Sequence, residues 1–219
     1  MKKNTSWNIL LLVFLNAELP GDAGKDSLSD FDARYAASIV ERIKLSVPEI
    51  SGGLISINSI DFFTVEQPIT VLDSGYNNTN LEAVGGILDE YLKKGDYDHL
   101  IMITPLRKVA QGWAGLGGME YKGVGVTEVH YRSRAHIGIP ALPHFPEAVF
   151  VHELLHYIER ISQSINPATA GLHDNGLFGF NDGSEDEWRA WYVAYMRNML
   201  PEGRGIDPRA YEAPRLARN

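Results

Sequence analysis

The chain has no cysteine among its 219 residues. That excludes a disulfide framework, a thiolate nucleophile and a thiolate metal site. Any transition-metal centre must therefore be built from histidine and carboxylate. Positive charge is also short: 20 Lys and Arg stand against 28 Asp and Glu, a formal net charge of −8. Nucleic-acid binding needs a basic face that releases counterions, so no nucleic-acid partner is expected. No apolar run reaches the roughly 18 residues of a membrane-spanning helix, so no integral membrane association is expected. Histidine is scarce, with 7 residues, which makes any clustering of it informative. Apolar material is plentiful at 44% of the residues, enough for a sizeable core. The length corresponds to one domain with appendages at about 150 residues per domain.

The amino terminus supports two readings. Lys2 and Lys3 precede the apolar run Ile9 to Leu15, and Ala17 stands where a signal peptide over residues 1–17 would be cut. The same run is a short continuous apolar segment of the kind that forms a buried strand. A retained strand points to the cytoplasm, and a signal peptide to export.

Further along, Phe31, Tyr35, Ile39, Ile43 and Val47 recur every four residues, which predicts one helix over 30–47 with that face inward and Ala36 and Val40 flanking it. Pro48 and the pair Gly52, Gly53 are read as its end. Residues 54–72 read as one or two strands, 81–94 as a helix and 98–105 as a buried strand. Gly112, Gly115, Gly117, Gly118, Gly123 and Gly125 crowd one window, which reads as a turned loop feeding a strand over 123–131. The clearest helix runs over 146–165, and a last one over 184–200 carries Ser184 and Glu187 in capping-box spacing. Residues 201–219 read as a surface tail behind a single catalytic domain over 1–200.

The segment that carries chemistry is His152-Glu153-Leu154-Leu155-His156. Two histidines four apart stand on one helical face, so their imidazoles can meet at one ion. Glu153 beside them is placed to take a proton from a water at that ion. A zinc hydrolase of this kind takes a third protein ligand and keeps one position open. Ser162 stands ten residues after His152, so the long metzincin signature is absent. Candidates for the third ligand are Glu159, His173, Asp174, Glu185, Asp186 and Glu187. Glu187 on the last helix is preferred, with His173 in a glycine-flanked loop as its rival. The 185–187 cluster also reads simply as acidic charge at a helix start.

This pattern resembles the zincin superfamily of metallopeptidases. The stretch GWAGLGGMEYKGVGVTEV, the motif helix and DEWRAWYVAY are similar to the clostridial Pro-Pro endopeptidase and anthrax lethal factor group, which is gluzincin-like. The resemblance implies an α+β zincin-like fold, a mixed sheet packed on helices, with the active-site helix bearing the histidines. It implies His152, His156 and Glu187 as zinc ligands and Glu153 as general base. Trp191 stands where that group has a second acidic residue.

The expected activity is zinc-dependent peptide-bond hydrolysis on a peptide or protein substrate. Alternatives are a zincin-like metal-binding interaction protein without turnover and a zinc amidohydrolase acting on a non-peptide amide. His173, Tyr192 and Tyr195 are candidate donors to the oxyanion. The strand over 123–131 is the candidate open edge on which an extended peptide would align, with Gly117, Gly118, Val124 and Val126 as candidate substrate-binding residues. His130, Arg132, Arg134, His136 and His144 form a second polar group that reads as solvent-facing.

Overall fold

The computed structural model describes residues 5–19, 24–70, 79–105, 115–133, 136–137, 144–181, 184–212 and 214. Lys2, Lys3, Gly112 and Arg134 of the sequence reading lie outside them. The elements in chain order are β1 (Thr5–Phe14), β2 (Asn16–Glu18), β3 (Lys25–Ser27), α1 (Asp30–Glu41), α2 (Ile43–Ser51), β4 (Ile55–Val65) and β5 (Ile69–Thr70). They continue as α3 (Gly85–Leu92), β6 (His99–Thr104), β7 (Gly115–Tyr121), β8 (Val124–Ser133), β9 (His136–Ile137), α4 (Ala148–Ile165) and α5 (Glu185–Met196). This is a mixed α and β architecture, as the sequence led one to expect.

The main sheet has the order β4-β1-β6-β8-β7, with β9 paired to β8. The β4, β1, β6 and β8 pairings are parallel, whereas β7 runs antiparallel to β8. The run that allowed two readings at the amino terminus is β1, an interior strand. A strand covered on both faces shows no alternation of polarity. Trp7, Ile9, Leu11 and Val13 enter the core under α1, α2, α4 and α5, while Leu10, Leu12 and Phe14 enter the layer under α3. Residues 16–18, 25–27 and 69–70 make a separate three-stranded sheet.

Several expectations are corrected. The single helix over 30–47 is two, α1 and α2, with Arg42 between them. Pro48 sits inside α2, and the helix ends at Gly52, whose left-handed φ of 65° lets its amide and that of Gly53 close on the last turn. The buried face of α1 is Ala33, Ala36, Ala37 and Val40, and Phe31 is exposed. Tyr35 and Ile39 pack partly buried against the core, and Ile43 and Val47 are fully buried, so the period-four face turns inward except at Phe31. The glycine window is not a loop over 115–121 but strand β7, joined to β8 by a two-residue turn. Lys122 and Gly123 in that turn have φ of 49° and 80°, the pattern of a tight hairpin.

The expected surface tail is built into the core over 201–212. Ile206, Ala210 and Tyr211 are buried, and the backbone carbonyl of Tyr211 accepts from the Trp7 indole at 2.9 Å. The Tyr211 hydroxyl donates to the Met196 carbonyl at 2.7 Å, and the Asp207 amide to the Ser162 hydroxyl at 2.8 Å.

A buried histidine on β6 gives the fold a pH dependence. His99 is fully buried against the rings of Trp7 and Tyr157, with Nε2 2.9 Å from the Thr127 hydroxyl. Burial disfavours its charged form and pushes its pKa down to about 3. In the unfolded chain the group returns to the ordinary histidine value of about 6.5. The unfolded state therefore binds more protons between these values, and stability falls as pH drops below about 6.5. Urea titrations at pH 7 and pH 5 are expected to show a smaller loss for His99→Gln than for the wild type. An equal loss in both would remove His99 as a source of the acid sensitivity.

Candidate metal centre

Helix α4 is amphipathic, and its apolar residues Val149, Phe150, Val151, Leu154, Leu155 and Ile158 are buried in the core. Its start is fixed by Glu147, which is nearly buried and pairs with Arg42 at 2.8 Å. The helix lies against β7 and β8, and glycines make the close approach possible. A Cβ on Gly117 would strike the Glu153 carbonyl and the His156 Cβ, and one on Gly115 would press on the Glu153 side chain. A Cβ on Gly125 of β8 would strike the Tyr157 ring and His99. Gly118 has a φ of 74°, at the irregularity where β7 shifts register between Leu116 and Met119, and its carbonyl accepts from Arg160 of α4 at 2.9 Å.

His152 and His156 project from one face of α4, with ring centroids 4.8 Å apart. His173 comes to them from the loop after the helix, at 5.1 Å from His152 and 5.0 Å from His156. One nitrogen from each of the three lies within 4.8 Å of the others, a cluster capable of holding a metal ion. The cluster runs from buried His152 through half-buried His156 to exposed His173, so it opens to solvent on one side.

Neighbours orient the rings. His152 Nδ1 is 2.9 Å from the Tyr192 hydroxyl on α5, and His156 Nδ1 is 3.0 Å from Glu159 Oε2. The loop that presents His173 has no helix to hold it, yet its backbone is tied at each residue before the histidine. The Ala170 amide donates to the Arg204 carbonyl, and the Ala170 carbonyl accepts from the Tyr195 hydroxyl at 2.7 Å. The Gly171 amide donates to Asp174 at 2.8 Å. The Leu172 amide donates to Glu159 at 2.9 Å, and the Leu172 carbonyl accepts from the Trp191 indole at 2.9 Å.

Glu153 is 6% exposed, with its side chain against Gly115 and its carboxylate accepting the Gly117 amide. Burial raises its pKa to about 7, while the nearby His156 and the Gly117 amide act in the opposite direction. Burial, with a smaller contribution from the neighbouring His156 and His173, lowers that of His152 to about 3.

The other expected site residues fall elsewhere. Glu187 is outside the histidine cluster; its carboxylate meets the Ser184 hydroxyl and Asn181 at 3.2 Å each, and the Ser184 hydroxyl accepts the Glu187 amide. Ser184 is thus the N-cap of α5, and its hydroxyl engages the Glu187 carboxylate at the start of the helix. Tyr192 and Tyr195 are buried, with their hydroxyls against His152 Nδ1 and the Ala170 carbonyl. Val124 and Val126 lie on interior strand β8 with side chains in the layer under α3. Among the described residues the open edge beside α4 belongs to β7, not to β8. His130 is fully buried, 3.7 Å from the buried Glu128, while His144 is exposed. Glu128 also accepts from the Thr79 amide and from the Thr79 and Thr104 hydroxyls, so this pair forms an interior polar cluster.

Sequence reasoning missed the parts played by Tyr192, Trp191 and Tyr195, which act through tertiary contacts. The pairing of His156 with Glu159 had a signal in their three-residue helical spacing.

No protein-family model matches the chain, and no curated protein matches it. Among solved structures it is similar to archaemetzincin from Methanopyrus kandleri, with 18% identity over 95% of this chain and 94% of that one. The TM-score is 0.36, a likeness that carries no argument about mechanism.

Proposed function

We propose that the chain is a zinc-dependent peptidase of the zincin type, with His152, His156 and His173 as ligands and Glu153 as general base. The observation that carries the reading is the meeting of three imidazoles beside a buried carboxylate of the same helix. The donor set fits the ion: three nitrogens without thiolate suit a borderline divalent metal such as zinc. Burial keeps His152 neutral, the state in which its nitrogen can coordinate. When bound, such an ion supplies a Lewis acid that polarises a carbonyl and makes a nearby water more acidic.

The chain's own groups do the rest. Glu153 takes the proton of the attacking water and returns it to the leaving amine. The Gly117 amide and the walls of Gly115 and Gly117 fix the direction of its carboxylate. The edge of β7 beside α4, open among the described residues, supports an extended peptide as substrate, because backbone pairing there would align it along the motif helix. The reading stays at the level of the superfamily. Glu187, which tied the sequence to the Pro-Pro endopeptidase and lethal factor group, is occupied in the cap of α5.

Elemental analysis of the purified full-length chain is expected to find one zinc per molecule. Cleavage of a mixed peptide library is expected to stop when a chelator removes the metal and to return with added zinc. Cleavage that survives complete removal of the metal would refute the proposal.

A further inference from the structure

Glu159 stands one turn beyond His156 and touches two parts of the centre at once. Its Oε2 lies 3.0 Å from His156 Nδ1, while its Oε1 accepts from the Leu172 amide at 2.9 Å and from Gln163 Nε2 at 3.3 Å. We propose that Glu159 is a positioning residue of the metal centre: one carboxylate selects the coordinating nitrogen of His156 and pins the loop carrying His173. The inference rests on the three-histidine reading and deepens it.

The argument is one of donors and acceptors. An ionised carboxylate only accepts hydrogen bonds, so the His156 ring places its proton on Nδ1 and leaves its lone pair on Nε2. The same group takes the Leu172 amide, which lies next to His173 in the chain. Both partners are donors, and only a group with two accepting oxygens serves both. A glutamine has one oxygen and one NH₂. If its oxygen stays on Leu172, the NH₂ faces His156 Nδ1 and drives the proton to Nε2, the nitrogen needed for metal. If its oxygen turns to His156, the NH₂ opposes the Leu172 amide and the loop is released. Either way one arm of the bracket is lost, although size and shape are kept.

The test compares the full-length wild type with Glu159→Gln. Long-range ¹H–¹⁵N spectra of the metal-free proteins read the His156 tautomer, and hydrogen exchange reads the Leu172 amide. Competition with a chromophoric chelator reads zinc affinity. The wild type is expected to carry Nδ1–H on His156. In the variant the tautomer switches or the Leu172 amide exchanges faster, and zinc affinity falls about 10- to 100-fold, the usual effect of losing a partner that orients a ligand. An Nε2–H tautomer in the wild type overturns the proposal without any variant. So does a variant whose zinc affinity stays within about twofold, and both results leave the metal centre standing. A wild type that binds no zinc overturns the metal centre itself, and this inference with it.

Discussion

Replacing Glu153 by glutamine is expected to leave zinc in place and lower the rate of peptide cleavage by about 100- to 10,000-fold, the range that a lost general base accounts for. The two effects separate because the residue is not part of the histidine cluster. Glutamine fills the same space against Gly115, and its amide oxygen can still accept the Gly117 amide. What it cannot do is take up a proton. The substitution also removes a carboxyl group from a site that is 6% exposed, so the folded chain is expected to melt no lower than the wild type. Cleavage kinetics and zinc content should be measured on the same sample. A variant that keeps its metal and cleaves at the wild-type rate would take Glu153 out of the reaction. One that loses its metal would show that the carboxylate is needed to assemble the centre.

How far the sequence disclosed this arrangement depended on whether a feature was local. The histidine pair and Glu153 were legible because an i, i+4 spacing on an amphipathic helix has one geometric meaning. Strand β1 was legible in part: a strand buried on both faces and the apolar region of a signal peptide have the same composition. The glycines of β7 read as a loop because glycine weakens isolated strands. At Gly115 and Gly117 α4 lies so near that a Cβ would not fit, and no periodicity in the sequence records the distance to another element. The inward face of α1 was legible in Tyr35, Ala36, Ile39 and Val40, but not in Ala33 and Ala37, which are buried while Phe31 is exposed. Glu187 had two functions open to it, partner of the Ser184 cap and third ligand. The cap was the local one, and it is the one the structure contains.

The ligand question turns on that last point, and two alanine substitutions are expected to answer it in opposite ways. His173→Ala is expected to weaken zinc binding by at least about 100-fold, because loss of a ligand should exceed the 10- to 100-fold cost of losing a partner that merely orients one. Glu187→Ala is expected to leave zinc affinity unchanged and to cost about 1 kcal/mol of stability through the weakened cap of α5. The His173 side chain is exposed, and its loop is held through the backbone by Tyr195, Trp191 and Glu159. Removing the imidazole therefore takes away a coordinating nitrogen while leaving the anchors of the loop intact, and thermal melting of the metal-free protein should barely move. The two proteins thus exchange phenotypes: one keeps its metal-free stability and loses metal, and the other loses some stability and keeps metal. Chelator competition beside urea unfolding of the metal-free chains reads both. If Glu187→Ala loses the metal while His173→Ala binds it as the wild type does, the helix carboxylate is the ligand, and the cap contacts of Glu187 must give way when the ion binds.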